Sequence, residues 1–304
     1  MVNILLVIVC LLLGLLLQMV KEFPANAAQT LNQFVIYISL PALALIYIPR
    51  IEIDLSLLYP ILTSWLVLFL AMLVIPLLGK VFDWDRKTVG CLIMTAGFGN
   101  TSFVGFPVIE ALYGTDALKY ALLVDQPGSF VAITTMGTVI ASVYSSGATR
   151  KRVIARKILL FPPFITFIVA LFLNVADVQA EAVVLGVLEP LGATITPLAL
   201  ISVGLQLHVN MGEKRLLPLV FGLGYKLILA PLTLYLLYVV LFNGSGMVIT
   251  VSIMEAAMAP MVLGSIIAAS HGLNPRLATL MVGIGVPVSF GTLALWFIFL
   301  GWAL

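Results

Sequence analysis

The chain has few charges for its length. Asp, Glu, Lys and Arg make up 9% of its 304 residues, and 62% of the residues are hydrophobic, whereas soluble domains average about 25% charged. So few charged side chains cannot cover a water-exposed surface, and we expect an all-helical polytopic protein whose main environment is the lipid bilayer. The basic residues form no cluster suited to nucleic acid, so no nucleic-acid partner is expected.

Cysteine and histidine are also scarce, with two of each in the chain. Cys10 and Cys91 lie in apolar segments without a CxxC spacing, which favours packing over a metal or redox site. An intramembrane protease would need a nucleophile with a base, or two aspartates at one depth. Ser102 has no histidine at a suitable depth and Asp125 has no central aspartate partner, so we expect neither an enzyme nor a cofactor.

Long apolar runs dominate what is present. A membrane-spanning helix needs about 20 residues, and the first run lacks the basic start and cleavage site of a secretory signal, so we expect it to be retained. The seventh run is the weakest, because Glu189-Pro190 could end a short surface helix there. The ten predicted helices fall at about 3–20, 30–48, 57–79, 88–112, 119–144, 157–174, 183–207, 216–241, 247–270 and 276–302.

The loops between these runs differ in charge. Twelve of the 15 basic residues follow odd-numbered runs, Arg50 and Lys119 lie on the opposite side, and Lys226 falls inside the eighth run. Cytoplasmic loops carry the excess of Lys and Arg. We therefore expect a multi-pass protein of the cell (inner) membrane with both termini extracytoplasmic.

The chain divides into two halves of five runs each. Residues 1–149 and 158–304 flank a basic linker at 150–157, and an odd number of spans per half inserts the second half upside down. Pro41 and Pro197 begin similar small-residue stretches at an offset of 156, where we expect structural helix breaks. Three further pairs recur in order at nearly the same offset: Pro76 and Pro231, Gly114 and Gly272, and Pro127 and Pro287. These pairs predict a 5+5 inverted repeat.

Glycine and proline interrupt the fourth and ninth runs at corresponding places, 97–107 and 254–264. Backbone that unwinds at membrane depth is tolerated only inside protein or beside a water-filled cavity. We expect these broken helices to cross near the bilayer centre, with N-terminal ends suited to an anion and C-terminal ends suited to a cation. An organic carboxylate driven by Na⁺ or H⁺ fits such a site.

The segment Asn100-Thr101-x-x-x-Gly105-x-Pro107 resembles the fourth-helix signature of the auxin efflux carrier family. The long cytoplasmic insertion of many plant members is absent, so the resemblance is to the prokaryotic branch, which implies small carboxylates such as malate or malonate as substrates. It also implies a homodimer and an elevator mechanism, with the first, second, sixth and seventh helices as scaffold and the crossed helices in a transport domain. A more distant resemblance to bile-acid sodium symporters places Glu255 where a glutamate helps to bind Na⁺; a proton on Glu255 is equally compatible.

These patterns identify two groups of site residues. Asp125, Lys226 and Glu255 are expected to couple the ion, although Lys226 could instead form a charge pair with either carboxylate. The expected substrate contacts are Asn100, Thr101, Ser102, Gly105, Pro107, Gln126, Pro260 and Met261. Asn100 could instead bond carbonyls freed by the helix break. A bile-acid-symporter-like carrier, and then an anion channel or a receptor, are the alternative functions.

Overall fold

The computed structural model describes residues 2–24, 26–145, 161–207 and 216–304. Within these ranges the chain is helical apart from short connections and one isolated β-bridge. The predicted all-helical fold is therefore confirmed for the described residues. The linker 150–157 and the basic residues Lys214 and Arg215 lie outside the described residues.

Twelve helical segments run through the described part of the chain. They are α1 Val2–Leu17, α2 Ala27–Arg50, α3 Leu55–Val81, α4 Arg86–Ala96, α5 Thr101–Tyr113, α6 Thr115–Ser145, α7 Pro162–Val175, α8 Ala182–Gln206, α9 Leu217–Leu241, α10 Met247–Ala256, α11 Val262–Ser270 and α12 Pro275–Ala303.

Six of these helices are long and apolar enough to cross a membrane, among the residues described: α2, α3, α6, α8, α9 and α12. The helices α1, α5, α7 and α10 are apolar but shorter. The division into ten spans therefore stays a prediction. In α8 the helix continues through Glu189 and Pro190 and is interrupted only at Thr194.

Both predicted helix breaks are present. Residues 97–100 separate α4 from α5, and residues 257–261 separate α10 from α11. Proline at position 260 has no N–H to donate and disfavours helical backbone in Ala259 before it. At the other break, Asn100 caps α5 by accepting a hydrogen bond from Phe103 N at 3.2 Å. Each break thus follows from local sequence.

The start of α4 is fixed by Asp85. Its carboxylate accepts hydrogen bonds from Thr88 N at 2.9 Å and Thr88 Oγ1 at 2.8 Å. Partial burial raises the pKa of Asp85, but these bonds outweigh it and hold the pKa below its usual value. Such a cap stabilises the protein at neutral pH, and the stabilisation disappears as pH falls through the lowered pKa.

Replacing Asp85 with alanine is expected to cost about 1 kcal/mol of stability at neutral pH, because the cap is lost. The measurement is thermal unfolding of Asp85→Ala beside the parent at neutral and acidic pH. The difference should shrink toward acid, where the parent carboxylate takes up a proton as well. A difference that is constant with pH would contradict the role of the ionised cap.

Helix α8 contacts both α1 and α2, and α2 also contacts α7. The glycines at 14 and 204 allow α1 and α8 to approach so closely that a Cβ on Gly14 would lie 2.8 Å from the Cα of Gly204. Asn174 in α7 donates to the carbonyls of Ile48, Pro49 and Ile51 at 2.7–3.1 Å, which ties α7 to the end of α2. These four helices correspond to the expected scaffold set.

The glycine pair and the proline pair that relate the two halves of the sequence differ in how well the structure matches the prediction. Gly114 follows α5 and Gly272 closely follows α11, and both adopt positive φ, +83° and +67°. Both glycines therefore sit in a backbone conformation that other residues rarely adopt. At Pro41, however, α2 does not break: a π turn over Val35–Ser39 precedes the proline, and the helix continues through Tyr47. Near Pro197 the interruption falls three residues earlier, at Thr194.

Candidate functional site

The two helix breaks bind each other through their backbones. Asn100 N donates to Ala259 O at 2.8 Å, and Met261 N donates to Phe98 O at 3.1 Å. These bonds flank the antiparallel bridge between Gly99 and Pro260. Each unwound segment therefore satisfies polar groups of the other, as backbone at membrane depth requires.

A cavity of about 160 Å³ lies beside this junction. It is bounded by α2 and α8 on one side and by α5, α6 and α11 on the other. Two helix N-termini reach it, through Asn100 and Thr101 at the start of α5 and Met261 and Val262 at the start of α11. Helix N-termini carry partial positive charge, so this end of the cavity suits an anion.

Asp125 forms the polar centre of the cavity wall. Its Oδ1 accepts from Thr101 Oγ1 at 2.6 Å and from Ser102 Oγ, and its Oδ2 accepts from Gln126 Nε2 at 2.7 Å. The side chain is only 3% exposed. Four of the predicted site residues are therefore joined in one hydrogen-bonded cluster.

Two amide atoms at this cluster have no hydrogen-bond partner. Asn100 Nδ2 and Gln126 Oε1 are both buried, although both residues line the cavity. A buried polar atom without a partner costs about 1–3 kcal/mol. Two residues of the cavity wall therefore carry one donor and one acceptor that the protein leaves unmatched.

Glu255 lies beside the π turn that begins α5. Its carboxylate is 1% exposed, and neither oxygen has a hydrogen-bond partner. It packs against Gly105, where an added Cβ would lie 2.7 Å from Glu255 Oε1. Glycine at 105 therefore makes room for this carboxylate, which is absent from the cavity lining.

Lys226 is fully buried beside the C-terminal ends of α4 and α10, the two helices that precede the breaks. Its Nζ donates to Ala256 O at 2.6 Å, at the C-terminus of α10, and lies near Gly99. Helix C-termini carry partial negative charge, so the ammonium is stabilised there. The expected direct charge pair is not formed, because Asp125 binds neutral partners and the Glu255 oxygens bind none.

The remaining predicted contacts separate into two groups. Met261 lines the cavity, whereas Gly105, Pro107 and Pro260 do not. Pro107 is buried inside α5, two residues after the π turn Thr101–Gly105.

Sequence reasoning missed most of the apolar wall. Phe130 and Phe161 stack with ring centroids 3.9 Å apart, and both line the cavity together with Ile36 of α2 and Val203 of α8. These residues come from helices far apart in the chain. Nothing in their local sequence distinguishes them from lipid-facing residues.

A second cavity, of about 320 Å³, lies between α2, α5, α6 and α8 near the other end of α2. Arg50, Glu110, Asp116 and Glu189 contribute its charged groups. Thr196 Oγ1 donates to Glu110 Oε2 at 2.5 Å, which joins α8 to α5. The two cavities thus lie on either side of the same helix contacts.

Comparison with known proteins extends over the whole molecule. A family model described as membrane transport protein matches residues 1–297. An uncharacterized transporter of Methanothermobacter thermautotrophicus is 28% identical over 301 residues, covering 95% of each chain. Another uncharacterized transporter, from Methanocaldococcus jannaschii, is 26% identical over 309 residues, covering 99% of this chain and 97% of the relative.

Proposed function

Because the chain belongs to the membrane transport protein family, the group of auxin efflux carrier-like proteins, we propose that this membrane transporter is an ion-coupled secondary carrier of a small organic anion. The observation that carries the proposal is the pair of helix N-termini, of α5 and α11, at one cavity. Asn100 Nδ2 is an unmatched donor at the same place. A carboxylate would accept from this amide and interact favourably with both helix ends.

The rest of the lining narrows the proposed substrate to a monocarboxylate with an apolar body. Beyond the polar cluster, the described wall is formed mainly by apolar side chains such as Phe103, Phe130, Ile133 and Ile266. A second carboxylate, as in malate or malonate, would lose its hydration against this wall without gaining a charged partner. An apolar body would gain from burial instead.

The proposed mechanism is elevator-type alternating access. The cavity lies between α2 and α8 of the expected scaffold and the helices that bear the two breaks. The inverted repeat would let the broken-helix group slide against this scaffold and open the site to either side. A homodimer through the scaffold would cover apolar side chains such as Phe172 and Val183, which are 71% and 79% exposed.

Counterflow in proteoliposomes tests the proposed function. Vesicles loaded with an unlabelled monocarboxylate should accumulate the labelled compound transiently, because a carrier exchanges substrate across the membrane. Matched dicarboxylates should give little exchange, and empty vesicles of the same lipid provide the control. Rapid flux without counterflow would indicate a channel and overturn the carrier proposal.

A further inference from the structure

We propose that a sodium ion binds at Asp125 and accompanies the anion into the cavity. This inference rests on the proposed function, since it names the coupling ion of the same cavity. It moves the expected sodium position away from Glu255. The ligand oxygens belong to four side chains: Asp125, Thr101, Ser102 and Gln126.

Charge balance gives the first reason. Asp125 is buried, and each of its hydrogen-bond partners is neutral. No Lys, Arg or His lines this cavity in the portion of the chain that the structure describes. An anionic substrate that binds Asn100 would therefore be repelled by a buried carboxylate, and a cation between the two removes the repulsion.

The chemistry of the cluster gives the second reason. Hard cations prefer oxygen ligands, and a carboxylate and two hydroxyls meet at this wall, where the Gln126 amide nitrogen also binds the carboxylate. Because Gln126 Nε2 donates to Asp125 Oδ2, the other amide atom, Oε1, is free to accept. That atom is buried and lacks a partner, so it needs a donor or a cation.

The other buried charges do not compete for this role. Lys226 already supplies a positive charge at Ala256 O, where the C-termini of α4 and α10 meet. Glu255 faces Gly105 and is absent from the cavity lining. Asp125 is thus the buried carboxylate in contact with the cavity, and an ion that enters through the cavity reaches it first.

The test measures sodium binding without any organic anion. The full-length protein is purified into lipid nanodiscs, and its thermal unfolding is followed as NaCl replaces choline chloride at constant ionic strength and neutral pH. We expect a saturable rise in the unfolding temperature, since a ligand of the native state stabilises it by mass action. A parallel KCl series should produce no such saturable rise.

Three variants assign the site. Asp125→Asn should abolish the sodium-dependent rise, whereas Asp116→Asn, an exposed acid on the same helix, should retain it. If Asp125→Asn does not fold, Ser102→Ala removes one ligand and leaves the carboxylate. It should raise the half-saturating sodium concentration by about tenfold or more.

Several results would overturn the sodium site. They are an equal rise in potassium or choline, a sodium rise that persists in Asp125→Asn, and stabilisation by acid alone that requires Asp125. Stabilisation by a neutral α-amino acid without sodium would also overturn it, because the ammonium group of that ligand would take the place of the ion.

Undiminished counterflow in sodium-free buffer would reject the sodium site and leave the carrier proposal intact. Sodium binding without counterflow of any carboxylate would reject only the proposed function.

Discussion

Lys226→Met is expected to destabilise the protein by about 1–3 kcal/mol, the usual cost of leaving a buried hydrogen-bond acceptor without its donor. The ammonium is fully buried and bonded to Ala256 O at 2.6 Å. Methionine has a similar length but no charge, so the carbonyl and the nearby Glu255 carboxylate would lose their compensating cation. Denaturant unfolding in detergent micelles measures the loss.

A control substitution and a compensating second substitution test the prediction for Lys226. Lys119→Met removes a half-buried lysine whose Nζ lies 5.1 Å from the ring centroid of Tyr120, and it should cost about 1 kcal/mol or less. Adding Glu255→Gln to Lys226→Met should recover part of the lost stability, because the neutral amide no longer needs the cation. Strictly additive losses in this double-mutant cycle would show that the two charges do not interact.

Asn100→Ser is expected to weaken substrate binding by about 10- to 150-fold while leaving thermal stability nearly unchanged. Serine caps a helix as well as asparagine does, so the start of α5 is preserved. The shorter side chain lacks the Nδ2 donor, and a hydrogen bond to a charged group contributes about 1.5–3 kcal/mol. The half-saturating substrate concentration in counterflow measures the effect.

Comparison with Asn100→Ala separates the two roles of this residue. Alanine removes both the cap oxygen and the amide donor, so both stability and affinity should fall. If Asn100→Ser binds substrate as tightly as the parent, the amide does not contact the carboxylate. Asn100 would then have only the capping role seen in its bond to Phe103 N.

The helix breaks could be predicted because their causes are local. Proline at 260 lacks an N–H donor and a glycine lies at 97 next to the end of α4, and both effects act within a few residues along the chain. The same local signal misled at Pro41, where α2 follows a π turn and stays continuous. A proline reveals a constraint on the backbone but not how neighbouring turns accommodate it.

The position of Lys226 could not be predicted from side chains alone. Its depth in the eighth apolar run indicated that it needs a partner, and the sequence offered two carboxylates. In the structure the partner is the backbone carbonyl of Ala256, at the last residue of α10, where the helix no longer supplies a donor. A backbone acceptor has no signature in the sequence, because every residue carries one.

The cavity wall depends on tertiary contacts for a similar reason. Asp125 and Gln126 are unusual in an apolar helix and could be recognised individually. Phe161 and Val203 resemble many lipid-facing residues, and only the packing of α7 and α8 brings them to the cavity. The polar half of the site was thus accessible to sequence reasoning, whereas the apolar half required the fold.

In the proposed elevator mechanism, one of two hydrogen bonds made by α8 would persist through transport and the other would break. Ser39 Oγ and Thr194 Oγ1, 2.7 Å apart, join α2 to α8 within the scaffold set, whereas Thr196 and Glu110 join α8 to α5. If α5 slides past the scaffold, the first bond persists through each cycle, and the second must break before every translocation. The dwell time of this conformation would then depend in part on one contact between a carboxylate and a hydroxyl that do not line the proposed substrate cavity.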